Sequence, residues 1–194
     1  RKLVDSLGNN DTLSFDKDGN ITASGEYDHG KKVGEWVSED SYGSINEHYN
    51  DSGKLDGVRE VYGENGNLRL REHYENDLLD GSYQEYADGE LVVEGEYVEG
   101  KREGEGTVAL GYPPYQTSKG SYNDGVKVGE WRTYSPEGYL RRIESFDSEG
   151  YLDGIVVNFS DQGALYNISE YKRNRRHGKS WSYTQSGQPF SISV

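Results

Sequence analysis

Alternation dominates this chain. From Leu91 to Tyr97, Leu91, Val93, Gly95 and Tyr97 fall on one parity and Val92, Glu94 and Glu96 on the other. Leu68, Leu70, Glu72 and Tyr74 repeat that pattern, as do Ile21, Ala23, Gly25 and Tyr27. A period of two puts successive side chains on opposite faces of a strand, so these segments predict half-buried strands with one wet face. Short aromatic stretches such as Trp131-Arg132-Thr133-Tyr134 predict their partners. Between them lie Glu64-Asn65-Gly66, Ala87-Asp88-Gly89, Pro136-Glu137-Gly138 and Asp161-Gln162-Gly163, rich in the residues that reach positive φ cheaply in hairpin turns. No helical period of useful length occurs.

The pattern is itself repeated. Gly34, Gly57, Gly81, Gly104, Gly129, Gly154 and Gly178 recur at intervals of 23 to 25 residues. An aromatic precedes each by seven or eight places: Tyr27, Tyr49, Tyr74, Tyr97, Tyr122, Phe146 and Tyr171. Another follows five of them by five places, at Tyr62, Tyr86, Tyr134, Phe159 and Tyr183. Such periodicity marks a repeat architecture in which each unit rests on its neighbours. The expected fold is all-β: an elongated single-layer antiparallel ribbon of about seven tandem β-hairpin repeats of roughly 24 residues. Fourteen or more strands at about 4.8 Å spacing would extend roughly 65–75 Å.

Residues 1–194 read as one repeat domain, with 1–24 an eroded first repeat, 25–183 the tandem repeats and 184–194 a cap in which Pro189 interrupts the pattern. Gly25, Gly95 and Gly120, each two places before the repeat tyrosine, predict room for an aromatic from the next strand to lie flat. The segment 104–122 departs from the pattern in Gly111-Tyr112-Pro113-Pro114-Tyr115, which reads either as a rigid turn or as a recognition loop.

Composition narrows the functions. The chain has no cysteine, which excludes disulfides, Cys-ligated zinc and a thiol nucleophile. Its mean hydropathy of −0.99 and lack of long apolar runs leave no membrane-spanning helix. A formal charge of −14 argues against nucleic acid, which needs cations to displace its counterions. Low aliphatic content and high charge resemble a disordered chain, but 17 tyrosines and 3 tryptophans at even spacing supply buried area. The chain opens on Arg1 and holds no methionine, so a processing site or a trimmed start is expected there. The compartment stays divided evenly between an exported or periplasmic one and the cytoplasm.

Two segments carry a family resemblance: Gly25-Glu26-Tyr27-Asp28-His29-Gly30-Lys31-Lys32-Val33-Gly34-Glu35-Trp36 and Gly120-Ser121-Tyr122-Asn123-Asp124-Gly125-Val126-Lys127-Val128-Gly129-Glu130-Trp131. Residues 95–104 and 171–181 are weaker copies. The chain resembles the bacterial MORN-repeat variant family. That resemblance implies an antitoxin-like or immunity-like binding role, with phospholipid binding, scaffolding and dimerisation known among eukaryotic relatives. It supplies no catalytic residues, and the Pro-Pro loop and missing tryptophans set some repeats apart.

Candidate chemistry is sparse. His48 and His73 occupy equivalent places in adjacent repeats, but two strand spacings, roughly 10 Å, separate them, too far for a shared zinc. They read as part of a solvated row. Thirty-five carboxylates contain chance pairs, yet nothing in the pattern isolates one in an apolar pocket. The expectation is a protein with no catalytic site, no metal and no cofactor.

Charge is more informative. Residues 1–105 carry 11 basic and 26 acidic side chains, whereas 106–194 carry 10 and 9. The first reading is a protein-binding module whose acidic N-terminal two-thirds docks a basic partner, such as a toxin, through Glu72, Glu75, Glu94, Glu96 and Glu99. The alternative is an exported scaffold that contacts glycan or lipid through Tyr112, Tyr115, Trp131 and Tyr134. Lys31, Lys32, Lys101, Arg102 and Lys127, with a cluster at Lys172, Arg173, Arg175, Arg176 and Lys179, mark one edge as basic, and a weak lipid contact there is subordinate to solvation. Open edges allow a monomer or an end-to-end dimer.

Overall fold

The structure, a computed structural model, describes residues 11–111 and 115–193. Among these the regular structure is entirely β: sixteen strands in one antiparallel sheet, paired in chain order from β1 to β16. This is the fold class that the alternation predicts. The described chain separates into two compact units. One runs to Leu91 and takes in Tyr97–Lys101; the other holds Val92–Glu96 and continues from Arg102.

The first unit contains β1 (Asp11–Phe15), β2 (Ile21–Asp28), β3 (Lys31–Asp40), β4 (Gly43–Tyr49), β5 (Gly57–Gly63), β6 (Leu68–Glu75) and β7 (Leu78–Ala87). Strand β8 (Glu90–Val98) is shared between the units. The second contains β9 (Lys101–Leu110), β10 (Gln116–Asn123), β11 (Val126–Tyr134), β12 (Leu140–Phe146), β13 (Gly154–Phe159), β14 (Leu165–Lys172), β15 (Arg175–Tyr183) and β16 (Pro189–Ser193).

Two turn types recur, and each follows from its residues. Asn76 and Asp77, at φ 51° and 74°, form a two-residue turn with both central residues left-handed, the type that matches strand twist. The other type spans five residues with glycine in the fourth place, as in Ser135-Pro136-Glu137-Gly138-Tyr139. There Ser135 N–H donates to Tyr139 O at 2.8 Å and Gly138 N–H to Ser135 O at 2.9 Å. The first side chain often caps the turn: Asp147 Oδ1 accepts from the amides of Glu149 and Tyr151 at 3.0 and 2.9 Å. Five-residue turns after Tyr49 and Phe146 account for the two repeats whose aromatic stands eight rather than seven places before its glycine.

Neighbouring turns are laced together. Asp77 N–H donates to Leu55 O and Gly125 N–H to Arg102 O, at 2.8 and 2.9 Å. Asp80 Oδ2 accepts from the Glu99 amide at 3.0 Å, and Glu103 Oε2 from the Asp124 amide at 2.8 Å. Part of the acidic content is therefore structural.

The repeat glycine pairs directly with the aromatic of the following strand: Gly57 with Tyr74, Gly129 with Phe146, Gly154 with Tyr171. Two places inward runs a second row. In the first unit it reads Trp36, Glu47, Arg59, Glu72 and Tyr83; in the second, Gly106, Gly120, Trp131, Glu144, Val156, Ser169 and Ser180. This row carries most of the burial: Trp36, Glu72, Trp131, Val156, Ser169 and Ser180 are all buried.

Trp36 and Trp131 are held identically. Each indole N–H donates to a carbonyl, Glu26 O or Ser121 O, at 3.1 Å. Each ring meets a tyrosine edge, Tyr27 or Tyr122, at 4.9 Å. A Cβ on Gly25 or Gly120 would fall 2.2 or 2.4 Å from the ring, so the expected aromatic does lie across both glycines. Gly95 differs from expectation. Nothing approaches its Cβ position within 4 Å, because the place that holds tryptophan in the other copies is Gly106.

Candidate functional site

The five acidic candidates do not share one environment. Glu75 and Glu99 are exposed at turns of the first unit, and Glu94 and Glu96 are exposed on β8 in the second. Glu94 Oε1 accepts from Thr107 Oγ1 at 3.2 Å. Glu72 overturns its assignment as an outward carboxylate. It shares the parity of Leu70 and Tyr74, is buried, and accepts from Arg59 Nη1 at 2.7 Å.

Glu72 belongs to an internal charge row. Arg59 Nε also donates to Glu47 Oε1 at 3.3 Å, and Lys32 Nζ lies 3.8 Å from Glu47 Oε2. Tyr49 donates its hydroxyl to Glu47 Oε2 at 3.0 Å, and burial together with that carboxylate pushes its pKa up to about 12. Burial alone would lower Arg59, but Glu72 and Glu47 outweigh it and hold the guanidinium above its ordinary value. Positive and negative groups alternate strand by strand, which satisfies charges that the sheet removes from water. The chemistry of this row is structural.

The histidines are not a merely solvated row. His48 Nδ1 donates to Asp56 O and His73 Nδ1 to Asp80 O, each at 2.6 Å. A carbonyl only accepts, so Nδ1 carries the proton in both. Each ring packs near the next strand's glycine, Gly57 or Gly81. Among the described residues no group of three or more His, Asp or Glu is arranged to hold a metal ion.

Several basic edge residues fold back onto rings. Lys32 Nζ lies 4.6 Å from the Trp36 ring centre, Lys127 Nζ 4.0 Å from Trp131, and the Arg102 guanidinium 5.1 Å from Tyr122. Burial lowers the Lys127 pKa. In the last basic turn, Arg173 pairs with Glu149 at 2.5 Å and Arg176 donates to Ser169 Oγ at 3.2 Å. Such cations spend their charge on aromatic and local partners, which weakens an edge aimed at lipid headgroups.

The aromatic candidates also divide. Trp131 is fully buried, so it is a core residue and not a ligand contact; the glycine opposite it, Gly120, draws it flat onto the strand. Tyr112 lies outside the described residues, as do Pro113 and Pro114. Tyr115 and Tyr134 converge. With Thr117, Lys119, Ser135, Pro136 and Gly138 they line a pocket of about 350 Å³ on the face opposite Trp131. Thr117 pairs directly with Tyr134 across β10 and β11, which brings these residues together. Thr117 and Lys119 were missed by sequence reasoning, although counting back from Tyr122 by odd steps puts both on the outer face.

Comparison with known families agrees with the repeat. Residues 55–76, one hairpin with its flanking turns, match the family described as MORN repeat variant. No curated protein matches the chain.

Proposed function

We propose that this chain is a non-catalytic protein-binding module that docks a basic partner on the acidic surface of its first unit, in the manner of an immunity or antitoxin factor. MORN repeats are in general modules that bind proteins or membranes. One observation carries the choice of partner. The first unit holds 10 basic and 22 acidic side chains, net −12, whereas the second holds 11 and 13, net −2. Glu75 and Glu99 stand exposed on that unit, as do Glu35, Glu39, Asp40, Glu64, Asp77 and Asp88. A field of one sign steers an oppositely charged partner and is screened within about 10 Å at 0.1 M salt.

The test is co-purification with the product of the neighbouring gene. A complex should form at low salt and weaken steeply as salt rises, with Glu75→Lys and Glu99→Lys slowing association more than they speed dissociation. No complex at low salt would defeat the reading.

A second reading has its own support. An exported scaffold that binds glycan through exposed aromatics is favoured by the convergence of Tyr115 and Tyr134 on one pocket. Lys32, Arg102 and Lys127 are committed to rings, so the lipid branch of that reading has less to draw on.

A further inference from the structure

The outer face around Tyr134 differs from its equivalents in other repeats. The row that contains Lys119 and Arg132 can be followed through the strand registers. In the first unit Glu60 pairs with Arg71, and their side chains form an ion pair at 3.4 Å. In the second unit, Val157 pairs with Ile143 and with Ile168, and Ile168 pairs with Trp181. Opposite charges, apolar contacts or a neutral polar partner, as in Arg71 with Gln84, fill those places. In β10 and β11 the pair is Lys119 with Arg132, two cations directly opposite one another. Such a pair is destabilising unless something negative lies between.

Local anions answer only one of the two cations. Glu130 pairs with Arg132 at 2.6 Å. The neighbouring Ser135 hydroxyl lowers the pKa of Glu137, in the adjoining turn. Lys119 has no ion-pair partner among the described residues.

The usual hydroxyl acceptor is missing there as well. Tyr62 donates its hydroxyl to Glu60 and Tyr86 to Gln84, two places back, at 2.7 and 3.1 Å. Two places before Tyr134 stands Arg132, which has no acceptor to offer that hydroxyl. Tyr134 lines the pocket without that acceptor two places back. Among the described residues the site presents two tyrosine side chains, a lysine and a hydroxyl that can donate, and no carboxylate lines it.

We propose that this pocket binds an acidic sugar residue, a pyranose ring that stacks on Tyr115 and Tyr134 and presents its carboxylate to Lys119 and the Tyr134 hydroxyl. The proposal rests on the glycan reading above and adds the ligand's charge. The volume lies at the low end of small-ligand sites and suits one sugar ring. A ring with apolar C–H faces matches tyrosine walls, and a carboxylate supplies the acceptors that the protein lacks there.

The full chain is titrated with tetragalacturonic acid and, separately, with its fully methyl-esterified form, which keeps the rings and removes the charge. Binding is followed by calorimetry and by the ring resonances of the tyrosines. The acid should bind roughly ten- to hundredfold more tightly than the ester. Lys119→Gln should erase that difference, and Tyr115→Ala should weaken both ligands, with unfolding midpoints confirming that each variant folds. Equal affinity for acid and ester would overturn the acidic ligand while leaving the glycan reading intact. Absence of binding by either at millimolar concentration would overturn both. Binding indifferent to Lys119→Gln and Tyr115→Ala would overturn the site.

Discussion

Adding one methyl group at two equivalent glycines should change stability in opposite directions. Gly95 and Gly120 both stand two places before a repeat tyrosine, and neither has a positive φ. At Gly120 a Cβ would lie 2.4, 2.5 and 2.6 Å from Cδ2, Cε2 and Cγ of Trp131. Carbon atoms rest at about 3.5–4.0 Å, so the indole must retreat by about 1 Å or more. It has little freedom to do so: it is fully buried, hydrogen-bonded to Ser121 O and covered by Lys127 at 4.0 Å. Overpacking of this kind costs about 1–3 kcal/mol. Swinging the ring into water instead would forfeit on the order of 5 kcal/mol, from about 200 Å² at 25 cal/mol per Å². The smaller cost prevails, so Gly120→Ala should destabilise by about 2–3 kcal/mol.

At Gly95 the new methyl meets nothing within 4 Å. There the substitution acts on the unfolded chain and should stabilise by about 0.4–1 kcal/mol. Urea unfolding with intact m-values, with near-UV circular dichroism reporting the tryptophan environment, measures both. Removing the ring with Trp131→Ala should abolish the extra cost of Gly120→Ala. If the two glycines respond alike, or if the cost persists without the ring, the close-packing account of this position is wrong.

Glu72→Gln and Glu75→Gln separate internal from surface carboxylates: the first should destabilise by roughly 2–3 kcal/mol, because it uncouples Arg59 from a buried partner, and the second by less than about 0.5 kcal/mol. Chemical denaturation of both variants reads this directly. Tyrosinate absorbance should rise in two phases, with Tyr49 titrating near 12 and Tyr62, Tyr74 and Tyr83 also late. Between pH 10 and 12 the unfolded Tyr49 has lost its proton and the folded one has kept it, so stability falls across that window. Asp80→Ala should cost about 1 kcal/mol and speed hydrogen exchange at the Glu99 amide, whose acceptor it removes.

The fold was legible because strand alternation, turn glycines and the 24-residue period are local properties that agree with one another. The site was less so, since it depends on cross-strand register. Glu72 carries the charge of a surface residue, yet its parity with Leu70 and Tyr74 already assigned it to the inner face. Its partner Arg59 lies thirteen residues away across a turn, so only the register reveals the pair. Trp131 stood among the candidate contact aromatics, but its burial followed from Gly120 on the preceding strand. Lys119 drew no attention as a single lysine; its meaning comes from Arg132 opposite and from Tyr134 two pairs further along.

The inner row explains how one scaffold tolerates such variety. At equivalent places it holds glycine beneath tryptophan, glutamate beside arginine, and serine beside serine, where Ser169 and Ser180 share a 2.9 Å hydrogen bond. Each pairing fills the space between adjacent strands and leaves its polar atoms satisfied. Any combination with matched volume and matched hydrogen bonding preserves the hairpin, so this row records folding requirements and reveals little about recognition. On the outer face the rule is weaker, because water can satisfy what the protein does not. A mismatch there, such as two cations on facing positions beside a tyrosine that has no acceptor two places back, is not demanded by the fold. Where the inner row is balanced and the outer row is not, the imbalance marks the surface at which a partner or ligand supplies the missing charge.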